Sequence, residues 1–113
     1  MRSNMLSVGA AAALCFLLGA CGIPVPPEKS SYVGEWTGPG VQMLIQPNGR
    51  VTYKRVADNV TTSINAPLQK FEGDNFSVGL SFFSTTFVVS RAPYQQGGAW
   101  KMVVDGNELT RIR

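Results

Sequence analysis

The chain supplies chemistry with two thiols, seven carboxylates and ten cationic side chains, and it contains no imidazole. Without histidine, neither a Ser-His-Asp nor a Cys-His nucleophile system can be assembled, and the usual zinc ligand sets are lost. The carboxylates come closest to one another as Glu72 with Asp74 and Asp105 with Glu108, each pair in or beside a glycine-bearing turn. Glycoside hydrolysis does use two carboxylates, but they come from separated segments, and burial must push one pKa upward; turn residues lack that burial. No loop has the alternating Asp and Asn ending in Glu that calcium requires, and no Gly-rich loop leads into a phosphate-binding helix. The residue types therefore predict a protein that is not an enzyme and holds no metal or cofactor.

The two thiols, Cys15 and Cys21, lie at one end of the chain. Arg2 makes the first four residues positive, and Met5 to Leu18 is an apolar run rich in Ala and Leu. That arrangement predicts an export signal, and the run is too short for a helix that must cross the hydrocarbon core with about twenty apolar residues. Leu18-Gly19-Ala20-Cys21 resembles the lipobox of bacterial lipoproteins, in which a branched apolar residue and two small residues precede an invariant cysteine. The small residues let an extended backbone enter a narrow protease site, and a thiol accepts a diacylglyceryl group as a thioether. The resemblance implies cleavage between Ala20 and Cys21, acylation of Cys21, and attachment to the membrane through its acyl chains. Two or three acyl chains give effectively permanent retention, where one gives only marginal binding. Residue 22 is Gly and not Asp, so the family's sorting rule implies the outer membrane facing the periplasm in a two-membrane organism.

The expected organisation is thus a signal over residues 1–20, a lipidated cysteine with a Pro-rich linker over 21–31, and a small β domain over 32–113. The linker, with Pro24, Pro26 and Pro27, is expected to be an extended polyproline spacer with a reach on the order of 30 Å. Beyond residue 20 there are nine cations against seven acids. So mild a balance excludes nucleic acid as a partner and leaves anionic lipid heads or polysaccharide open.

From Tyr32 onward apolar residues recur at every second position, which predicts half-buried strands. Val41, Met43 and Ile45 share one face, and Pro47-Asn48-Gly49 turns the chain into Arg50–Lys54; Asn-Gly accepts the positive φ angles of a tight reversal. Further strands are expected over Val60–Asn65, Leu68–Phe71, Phe76–Phe82, Thr85–Ser90, Ala99–Val104 and Glu108–Ile112, the last two flanking Asp105-Gly106-Asn107. The stretch from Phe76 to Ser90 reads as central strands, and Ala92-Pro93 as a break. The fold class is all-β: an antiparallel meander of about seven or eight strands in a barrel or two-layer sandwich with few exposed edges.

Trp36 and Trp100 fall near the first and last strands, where closure of a meander would bring them together as core plugs. Gly34-Glu35-Trp36 is loosely similar to the first strand of lipocalins, which supports a small barrel. The expected function is that of a lipid-anchored, non-enzymatic module binding an envelope protein or polysaccharide. Its contacts are expected at Tyr94, Gln95 and Gln96 in a loop bounded by Pro93 and Gly97, with Arg91 beside it, because an aromatic and an arginine anchor many interfaces. Two alternatives stay open: a lipocalin-like carrier of an apolar ligand, and an inhibitor of a hydrolase such as lysozyme, similar in length and anchoring to lipoprotein inhibitors but without the cysteines of their fold.

Overall fold

The computed structural model describes residues Gly22–Arg113; the expected signal over residues 1–20, with Ala20, and the expected lipidation site Cys21 lie outside the described residues. A 3-10 turn over Pro27–Tyr32 precedes nine strands. They are β1 Gly34–Gly38, β2 Val41–Ile45, β3 Arg50–Ala57, β4 Val60–Glu72, β5 Asn75–Leu80, β6 Phe83–Phe87, β7 Val89–Gln96, β8 Ala99–Val104 and β9 Asn107–Arg111. All pairings are antiparallel, and the order across the sheet is β6-β5-β4-β3-β2-β1-β9-β8-β7. Each strand lies beside its neighbours in sequence except that β6 and β7 do not pair. The first and last strands join, with Thr37 opposite Thr110 and Trp36 opposite Arg111, and β6 and β7 form the two edges. The sheet curls into a half-barrel around one core.

Alternation explains the core. Val41, Met43 and Ile45 in β2 are buried while Gln42 and Leu44 are exposed, as a period of two requires of a strand with one face inward. Sharing the core with them are Trp36, Val51, Leu68, Val78, Met102 and Leu109, none more than 1 % exposed. Aromatic rings line one end. Phe76 lies 5.2 Å from Phe87 and 6.0 Å from Tyr32, and Tyr53 lies 4.9 Å from Phe87, separations at which aromatic rings attract.

Nine strands replace the expected seven or eight, and the strand bounds differ from the expectation at two prolines. Val60–Asn65 and Leu68–Phe71 are one strand, β4, which passes through Pro67. The Leu68 N–H bonds the Gly49 carbonyl on the β3 side, so alternation puts the proline nitrogen on the opposite edge, where β4 exchanges β3 for β5 as its partner. Proline is tolerated at such a position. Conversely, Ala92-Pro93 is no break but the interior of β7, an edge strand whose register against β8 shifts between Lys101 and Val103; the proline occupies this bulge on an edge. Likewise β6 is an edge strand and not a central one, with only Val88 between it and β7.

The linker also differs from the expectation. Pro26 has the extended angles φ −64° and ψ 153°, but the segment is no free spacer. Ile23 N–H donates to the Leu68 carbonyl at 3.1 Å, Val25 N–H donates to the Pro47 carbonyl at 3.0 Å, and Val25 lies against the core. Gly49 makes this possible, since a Cβ there would collide with the Ile23 carbonyl. The following 3-10 turn delivers Tyr32, 2 % exposed, into the core.

Candidate functional site

The four expected contact residues occupy strand β7, not a loop: Arg91 and Tyr94 face Val103 and Lys101 of β8, while Gln95 and Gln96 pair with Trp100 and Ala99. The turn that follows is Gly97-Gly98, both at positive φ, which is what a two-residue hairpin needs. Because a proline bulge sits between them, Arg91 and Tyr94 come onto the same surface. The Arg91 guanidinium stacks 3.6 Å from the Tyr94 ring centroid. The Tyr94 hydroxyl donates to Glu108 Oε2 at 2.9 Å, and Lys101 Nζ lies 4.0 Å from the other oxygen of that carboxylate. Loss of water around the phenol raises its pKa, as do the hydrogen bond to Glu108 and that residue's charge. The structure thus joins Arg91 and Tyr94 to Lys101 and Glu108 across three strands, and it leaves Gln95 and Gln96 exposed beside them.

Sequence reasoning missed Lys101 and Glu108 as members of this face, because their proximity depends on the register of β8 against β9, where Val103 lies opposite Glu108. The signal available was the Asp105-Gly106 hairpin, which places residues at equal distances from the turn opposite one another.

The two tryptophans flank Arg111 where β1 pairs with β9, with the arginine between them. The Arg111 guanidinium lies 5.8 Å from the Trp36 ring and 5.1 Å from the Trp100 ring, both within cation–π range. Trp36 is fully buried and its indole N–H donates to the Tyr32 carbonyl at 2.9 Å. The carboxylates hold structural positions: Asp105 Oδ1 accepts from the Val88 N–H at 2.9 Å, and Asp74 lies 3.7 Å from Lys29. Glu72 stands exposed beside Lys70.

Among the described residues no group of three His, Cys, Asp or Glu could hold a metal, and no helix is long and apolar enough to cross a membrane. The recesses are shallow and lie near strand ends. One of about 200 Å³ is lined by Thr37, Gly40, Lys54 and Val56, and one of about 290 Å³ by Gly34, Leu44, Pro47 and Arg113. Comparison with protein-family models, curated proteins and solved structures finds no match to the chain.

Proposed function

We propose that this chain is a lipid-anchored cell-envelope protein whose β domain is a non-enzymatic binding module, with Arg91, Tyr94, Lys101 and Glu108 as its contact face. The observation that carries the reading is the assembly of that face. An arginine lies flat on a tyrosine, and the tyrosine is hydrogen-bonded to a carboxylate on a neighbouring strand, so the side chains are ordered before any partner arrives. Preordering lowers the entropy cost of binding, and Tyr and Arg are the residues most often found at the centre of interfaces. The lipobox resemblance supplies the anchor. A core filled by Trp36, Met43, Phe76 and Phe87 favours contact through the surface over an enclosed apolar ligand.

Two measurements test this. Intact mass of the protein extracted from its own membrane is expected to show the acyl chains on Cys21. Cross-linking in intact cells is expected to give adducts that Tyr94→Ala and Arg91→Ala remove. Adducts unchanged in both variants refute the contact face, and a mass without acyl chains refutes the anchor.

A further inference from the structure

Between Asp74 and Arg91 the chain runs for sixteen residues without a charge. The middle of this stretch is the β5–β6 turn, in which Leu80 lies opposite Phe83 across Ser81 and Phe82. Val78 is buried and Leu80 continues its face; Phe87 is buried and Phe83 continues its face. The core-facing rows of the hairpin therefore extend beyond the core and emerge bare: Leu80 is 51 %, Phe83 72 % and Phe82 96 % exposed. Exposed apolar residues scattered singly are ordinary, whereas three contiguous ones without a charge mark a contact surface. The turn is also held in an unfavourable conformation, with Ser81 at φ +56°, where glycine is the easier residue. Gly79 lets the two strands close, because a Cβ there would strike the Phe83 carbonyl.

The position of the amino-terminal segment identifies what this tip meets. Ile23 is bonded to Leu68, which lies opposite Val78, which lies opposite Thr85, two residues from Phe83. Residue 23 and the tip are thus separated by three strand spacings, about 15 Å, and Cys21 lies two residues before Ile23. Ile23 is itself 40 % exposed. Arg50, opposite Pro67 and exposed, adds a cation near the same point.

We propose that the Leu80–Phe83 tip inserts into the bilayer beside the acyl chains of Cys21, so that the protein is held to lipid at two points and has a fixed orientation on the membrane. This rests on the lipid-anchor reading above. Acyl chains at one point leave a domain free to swivel; an aromatic wedge about 15 Å away removes that freedom, and aromatic and apolar side chains on one surface favour the headgroup boundary. With the amino-terminal segment bonded to β4 at Leu68, the tip stays within reach of the lipid surface.

The test uses the full chain extracted from its own membrane, with acyl mass on Cys21 checked first, reconstituted into vesicles of phosphatidylethanolamine and phosphatidylglycerol. Phe82→Cys carries an environment-sensitive fluorophore, and Glu72→Cys, at the far end of β4, serves as the reference. At Phe82→Cys the emission is expected to shift to the blue and to be quenched several-fold by lipids bearing a spin label near the headgroup; at Glu72→Cys neither change is expected. Acylated protein whose fluorophore at position 82 stays in water overturns the wedge and leaves the anchor standing. Shielding in native membranes but not in the vesicles identifies a protein occupant and also overturns it. Absence of acyl mass overturns both readings.

Discussion

Replacing Tyr32 with Phe should destabilise the domain at neutral pH and stabilise it in alkali, with a crossing point set by the structure. The Tyr32 hydroxyl donates to the Asp74 carbonyl at 2.8 Å, and its loss costs about 1 kcal/mol. Burial first, and then the charge of Asp74, pushes the phenol from its ordinary value of 10.0 up to about 12. A group whose pKa is higher in the folded state contributes stability that is complete below its unfolded pKa and is lost as pH rises through the folded one. The wild type should therefore lose about 2 to 3 kcal/mol as pH rises from 10 through 12 that the Phe variant keeps. The two stabilities become equal once about 1 kcal/mol of this is gone, between pH 10 and 12, and above that range the variant leads by about 1 to 2 kcal/mol. Urea denaturation of the Gly22–Arg113 domain, followed by tryptophan fluorescence at intervals from pH 8 to 12, measures the difference directly. Lysine titration and the raised pKa of buried Tyr53 act on both proteins and cancel. A difference that stays constant across this range would refute the burial argument for Tyr32.

Gly49→Ala should expel Ile23 from β4, cost about 2 kcal/mol through strain at φ +93° and the lost bond, and expose the bonds between Gly22 and Pro26 to limited proteolysis. Asp105→Ala leaves the Val88 N–H without its acceptor, so hydrogen exchange at Val88 should accelerate and stability should fall by about 1 kcal/mol. Trp36→Ala, at the fully buried centre of the closure, should cost about 3 to 5 kcal/mol and leave a domain that melts near or below room temperature by circular dichroism. Arg111→Leu removes the cation between the two indoles and should change tryptophan emission at a cost of about 1 kcal/mol.

The strands most legible in the sequence were those with one wet face and one dry one. Val41–Ile45 and Ala99–Val104 have the bounds that their composition and turn signals predict, and the Asn-Gly and Asp-Gly reversals lie where backbone sterics demand them. What stayed hidden depended on partners distant in sequence. Pro67 and Pro93 read as breaks because a proline excludes itself from a central ladder; only the sheet order shows that one sits where β4 changes partner and the other on an edge. The same applies to the site. Arg91 and Tyr94 are visible as residue types, but Glu108, which holds the tyrosine in place, is recognisable only after the β7, β8 and β9 registers are known. The prolines before Tyr32 suggested extended backbone throughout, whereas Pro26 is extended and Pro27 opens the 3-10 turn. Their composition could not show that Leu68 and Pro47 would offer carbonyls to that backbone.

The pairing of β1 with β9 has a consequence for when the domain can form. Glu35 exchanges hydrogen bonds with Ile112 and Arg113, the last two residues of the chain, and Trp36 is buried where that pairing closes. As the chain is made from its amino end, β1 can pair with β2 at once, but its other edge stays unpaired until β9 has appeared, and contacts so distant in sequence form late. Each shorter length keeps one side of Trp36 uncovered. The core around Trp36 is therefore sealed only once β9 is in place.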